Sequence, residues 1–133
     1  MKYLLDTNTC IRYINGRSPE IRAKLPTIPR VEVGVSIITK AEMFYGSAKS
    51  QTPEQSRQKQ LEFLETVQVV TFDEATAIVY GDIRAYLDKQ GTPIGGNDLL
   101  IAATALAGGL ILVTHNIREF GRVPNLKLED WES

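Results

Sequence analysis

The stretch VGVSIITKAE, Val33 to Glu42, sets two kinds of element back to back. Val33 to Ile38 is rich in β-branched side chains and has no polar alternation, which is the pattern of a strand covered on both faces. Thr39-Lys40-Ala41-Glu42 then fits a Ser/Thr-x-x-Glu capping box, in which two side chains satisfy free first-turn amides, and it opens a helix through about Ala48. An apolar strand that passes straight into a helix belongs in a sheet with helices packed on it.

The same alternation recurs on either side of this stretch. Toward the N-terminus, Tyr3-Leu4-Leu5 reads as a strand. The cap formers Asp6-Thr7-Asn8 follow, then a short helix through about Ile14, stopped by Asn15-Gly16. A second helical piece around Ile21 to Leu25 ends at Pro26 and Pro29. Toward the C-terminus, Thr52-Pro53-Glu54-Gln55 repeats the capping logic with proline at the first helical position and predicts a helix through Leu64. Val67 to Phe72 is the next strand. From Asp73, apolar residues at three- and four-residue spacing (Ala77, Tyr80, Ile83, Leu87) describe a helix that stops near Gly91. Ile94 to Gly109 supplies another helix, Leu110 to Thr114 an apolar strand, and the remainder a helical turn near Glu119-Phe120 with a small edge strand near Leu126. Strands separated by helices pair in parallel, so the expected fold is a three-layer α/β/α sandwich around a central parallel sheet.

Composition narrows the function. A chain of 133 residues, 43% hydrophobic and 23% charged, suits one domain spanning residues 1–133 with no internal boundary. With a formal net charge of -1, contact with nucleic acid has to rest on a local basic patch or a metal. Cys10 is the only cysteine, which excludes an intrachain disulfide and a thiol-rich metal site; it reads as a small buried side chain. Lys2 is followed by only Tyr3-Leu4-Leu5 before Asp6, too short for a signal peptide or a membrane span, and a reducing cytoplasm is the expected compartment.

Ligands of an open parallel sheet bind where strands give way to helices, at the strands' carboxyl ends. Asp6 follows the first strand, Glu42 lies in the first turn of the helix after the second, and Asp98 begins the helix leading into the strand at Leu110. Asn116 follows that strand. Each has a plainer reading: Asp6 and Asp98 as helix caps, Glu42 as a capping-box acid. Three carboxylates converging on one rim repel one another, however, and a divalent cation with a preference for hard oxygen ligands, Mg2+ or Mn2+, resolves that repulsion. One His and one Cys argue against zinc there. His115 reads as a surface or hydrogen-bonded residue, Asp73 as a cap, and Arg84 and Arg118 as solvated or phosphate-contacting.

These segments resemble the PIN-domain ribonucleases, and within them the VapC-type toxins of toxin–antitoxin pairs. The resemblance is carried by LLDTN at Leu4 to Asn8, SIITKAEMFYG at Ser36 to Gly46, IRAYLDKQGTPIGGNDLLIAATA at Ile83 to Ala105, LVTHNIREF at Leu112 to Phe120, and the closing LEDWES. It implies a metal-dependent endoribonuclease acting on structured RNA such as transfer RNA, with Asp6, Glu42 and Asp98 as the catalytic, metal-holding set and Thr7 and Asn8 shaping the first loop. Relatives often carry a fourth acid in Thr-x-Asp; here Thr114-His115-Asn116 offers an amide, and Glu119 is the candidate substitute. The resemblance also implies a cognate antitoxin as partner, operator DNA reached only through it, a homodimer, and no membrane. An antitoxin would place a basic side chain among the acids and grip Ile11, Ile14, Phe44 and Tyr45. Two rivals come from other classes. A phospho-acceptor receiver domain needs an acid beside Asp6, where Thr7 stands, and a lysine where Thr114-His115 stands. The second is a catalytically silent PIN-fold module that acts only through a protein partner.

Overall fold

The computed structural model describes residues 1–132; Ser133, the last residue of LEDWES, lies outside the described residues. Five strands, β1 (Tyr3–Leu5), β2 (Val33–Ser36), β3 (Gln68–Val70), β4 (Ile111–Val113) and β5 (Leu128–Glu129), form one sheet in the order β3-β2-β1-β4-β5. Every pairing is parallel: Leu5 stands opposite Val35 on one side and Val113 on the other, and Val113 opposite Glu129. The helices are α1 (Thr7–Ile14), α2 (Pro19–Lys24), α3 (Ile37–Ala48), α4 (Pro53–Leu64), α5 (Glu74–Gln90), α6 (Gly96–Ala107) and α7 (Ile117–Phe120), with 3-10 turns at Leu25–Thr27 and Arg30–Glu32.

Successive strand residues point to opposite faces, and the two cores divide accordingly. Tyr3, Leu5, Val33, Val35 and Val113 face a cluster with Cys10, Ile21, Met43, Phe63 and Leu64 from α1 to α4. Leu4 and Leu112 face the other cluster, with Ile83, Leu87, Ile101 and Phe120 from α5 to α7. Helices thus cover both faces, giving the expected three layers. No described helix is long and apolar enough to cross a membrane.

Some boundaries and caps differ from expectation. The second strand ends at Ser36, not Ile38: Ser36 sits in extended backbone and its hydroxyl accepts the Thr39 amide, so Ile37 and Ile38 form the first helical turn. A continuous apolar run cannot mark that change of period. The Thr39–Glu42 capping box does not form, and Thr52 makes no side-chain cap. The edge strand lies at Leu128–Glu129, just beyond Leu126.

Candidate functional site

All strands run the same way, so their carboxyl ends share one rim, and helices that return antiparallel to them begin there. Asp6 leaves β1 at this rim and caps α1, one carboxylate oxygen accepting the Thr9 amide at 2.8 Å. Its other oxygen accepts the Thr114 hydroxyl from the end of β4 at 2.6 Å. Asp6 is buried, and burial raises its pKa above the ordinary value, opposed by the bonds from Thr114 and Thr9 and reinforced by the charge of Glu132.

Glu42 reaches the rim from the second turn of α3. Its Oε1 accepts the Thr7 hydroxyl at 2.6 Å and its Oε2 the Asn97 amide nitrogen at 3.2 Å. Because Thr7 spends its proton on Glu42, Thr39 donates to Thr7 across 3.0 Å, and Ser36 donates to Thr39 at 3.2 Å. This relay of hydroxyls runs from the end of β2 to the carboxylate, and all its protons point toward the acid. Hydrogen bonds from such positioned donors fix a carboxylate in direction.

Asp98 lies in the first turn of α6, whose N-cap is Gly95, so neither Asp98 nor Asn97 caps the helix. It faces Glu119 of α7, with which it shares a hydrogen bond. Burial, the charge of Glu119, that shared bond, and the charges of Glu42 and Asp6 together push Asp98 from 3.8 to about 7. Glu119 moves the other way. Its Oε1 accepts the Gly95 amide at 2.9 Å, the largest cause of its lowered pKa, and its Oε2 accepts the Asn116 side chain at 3.0 Å. Below about pH 7 the pair therefore holds one proton, which the opposite shifts favour on Asp98.

Asn116 caps α7 and clamps Glu119, and its own amide donates to Thr114 Oγ1 at 3.0 Å. Asn8 is exposed on the wall of a groove of about 580 Å3 that also includes Thr7, Glu42, Asn97, Ile11 and Tyr45. Asp6, Glu42, Asp98, Glu119, Thr7, Thr114 and Asn116 are thus linked at one rim by hydrogen bonds and mutual charge. Sequence reasoning missed Thr39, Asn97 and the Gly95 amide as supports. Thr39 and Asn97 could not be read locally as supports, because their partners lie on other elements.

None of the ion pairs among the described residues engages Asp6, Glu42, Asp98 or Glu119. Nor do these four place three ligand atoms within 4.8 Å of one another among the described residues. As placed, the four offer one cation at most two direct ligands, with others able to act through water. Mg2+, which binds one or two carboxylates and keeps several waters, fits such a donor set; a closed all-protein cage does not.

The model of the PIN domain family matches residues 3–126. The tRNA(fMet)-specific endonuclease VapC of Salmonella typhimurium is 40% identical over 131 residues, covering 98% of each chain. Ribonuclease VapC2 of Rickettsia felis is 40% identical over 133 residues, covering 99% of each. Among solved structures, VapBC2 from Rickettsia felis bound to a DNA fragment from its promoter superposes with a TM-score of 0.93 at 39% identity, covering 98% of this chain and 99% of that one.

Proposed function

Since the chain belongs to the PIN-domain family, among its VapC ribonucleases, we propose that it is a divalent-metal-dependent endoribonuclease, the toxin of a toxin–antitoxin pair, whose working residues are Asp6, Glu42 and Asp98. The observation that carries this reading is a rim of four carboxylates, Glu119 included, with no ion pair among the described residues; Asp6, Glu42 and Glu119 are held in place by donors from other elements, while Asp98 faces Glu119. Mg2+ or Mn2+, when bound, supplies the positive charge that offsets this repulsion and stabilises charge developing on a phosphate.

The chain's own residues divide the remaining work. Thr114 and the Thr9 amide fix both oxygens of Asp6. The hydroxyl relay orients the Glu42 carboxylate to accept a proton from water. Asp98 holds a proton near neutrality, and surrenders it when a positive charge arrives. Glu119 supplies the charge that Asn116 cannot, while Asn116 aims it. Cleavage is hydrolysis: water attacks phosphorus, the sugar oxygen leaves, and the chain forms no covalent bond to the RNA.

Structured RNA, transfer RNA in particular, is the proposed substrate, in line with the name of the Salmonella relative. The partner is an antitoxin, as in the VapBC2 assembly, with DNA engaged through it and the toxin as a homodimer in the cytoplasm. The groove beside Glu42 supports this, because Ile11, Ile38 and an exposed Tyr45 border the acids and offer an apolar grip next to a strong attraction for arginine. The test is cleavage of a transfer RNA pool by purified protein with Mg2+, with chelator, and with the Asp6→Asn variant. Activity that survives chelation or Asp6→Asn overturns the reading, and inactivity in every metal favours the silent binding module.

A further inference from the structure

The paired ends of β4 and β5 bring together a second group of side chains outside the acid set. His115 Nδ1 lies 2.9 Å from Asp130 Oδ2 and 3.8 Å from Glu132 Oε2. One ligand atom from each of the three lies within 4.8 Å of the other two. The segment that carries the two acids is anchored. Trp131 packs edge-on against Tyr3 with ring centroids 5.2 Å apart, and Asp130 Oδ1 accepts the Glu132 amide while Oδ2 meets the imidazole.

Glu132 carries the independent sign of a ligand. Its side chain is only 8% exposed, and Oε1 accepts the Arg12 guanidinium, yet Oε2 has no hydrogen-bond partner among the described residues. A buried carboxylate oxygen without a donor is unfavourable. A proton on His115 cannot cure this, because it serves Asp130, and 3.8 Å is beyond hydrogen-bond reach of Glu132. An ion seated among the three reaches all of them.

We propose that His115 Nδ1, Asp130 Oδ2 and Glu132 Oε2 form a second metal site, built for a borderline transition-metal dication such as Zn2+ or Co2+, with solvent completing its coordination. Ligand atoms about 2.1 Å from such an ion at tetrahedral corners stand roughly 3.4 Å apart. The separations of 2.9 and 3.8 Å bracket that value. The imidazole sets this site apart from the all-oxygen cleft, since nitrogen ligands favour zinc and cobalt over magnesium. Occupancy would fasten the C-terminal segment to the end of β4 and offset the Glu132 charge that acts on Asp6.

Titration of the full-length protein with Co2+ tests the proposal in the Asp98→Asn background, which weakens the cleft as a competitor. The expected result is one bound equivalent with visible d–d absorption bands, retained in excess Mg2+ and displaced by Zn2+. His115→Ala in that background should weaken binding at least about tenfold, the scale on which even outer partners of metal ligands act. Because His115 is exposed, this truncation leaves the core intact, and a thermal melt verifies it. Glu132→Gln should weaken Co2+ in the same way. Binding that ignores both substitutions, that Mg2+ displaces, or that is absent in the Asp98→Asn background overturns the site.

Discussion

Asp98→Asn in the absence of divalent metal isolates the electrostatic cost of the cleft. The native state holds the Asp98 proton up to about pH 7, whereas the unfolded chain releases it around the ordinary 3.8. Protonation therefore favours folding below that lower value, and the benefit is lost as pH rises through about 7. In a fully shielded site the difference would be worth ~4 kcal/mol. Water reaches Asp98 and screens it, so roughly 1–2 kcal/mol is the realistic size. Asparagine carries no charge to repel Glu119 and can donate its amide to it. In chelator above pH 7 the variant should melt roughly 3–8 °C higher than the parent, a gap that shrinks toward zero near pH 4. Added Mg2+ should raise the parent by mass action and close the gap. Differential scanning calorimetry across pH, with chelator and with Mg2+, reads all three arms. A gap of the opposite sign, or one that does not change with pH, refutes the account of a shared proton and mutual repulsion.

The other expectations concern the supports. Asp6→Asn should abolish cleavage while shifting the melting temperature by only a few degrees, because asparagine caps a helix about as well as aspartate; a nuclease assay beside a melt checks it. Thr7→Val removes the 2.6 Å donor to Glu42 and should lower Mg2+ affinity or activity about 10- to 100-fold with the fold intact, as calorimetric titration would show. Thr114→Val strips a buried donor from Asp6 and an acceptor from the Asn116 amide, so it should cost about 1–3 kcal/mol by denaturant melts and move the acid limb of the cleavage profile to higher pH. Asn116→Asp should lower the melting temperature in chelator, because Glu119 exchanges an amide donor for a second negative charge, and Mg2+ should restore it.

The sheet was legible because its strands are short, apolar and separated by capped helices, and that same alternation fixed which ends would meet. Asp6 could be read as a cap, and Asp6, Glu42 and Asp98 as neighbours on one rim, from position alone. What could not be read was who holds whom. Ser36 reads as part of a strand and Thr39 as the cap former, and only the folded rim shows that Ser36 caps α3 while Thr39 donates to Thr7, which donates to Glu42. Gly95 and Asn97 gain their roles from Glu119 and Glu42, separated from them by 24 and 55 residues, a distance no local pattern spans. His115 looked like an ordinary surface residue because its partners, Asp130 and Glu132, come from the far end of the chain.

The central strand has a consequence in time as well as in space. β1 is synthesised well before β4, one of its two neighbours in the sheet, and Asp6 takes its hydrogen bond from Thr114, 108 residues later. Parallel pairings of such separation form late, because a long loop must close before any contact rewards it. While the chain is still growing, Asp6 has no Thr114, Asp98 no Glu119 and the rim no second half. The arrangement of acids comes into being only after Glu119 has been made, so the chain from β1 to α7 is synthesised without an assembled cleft.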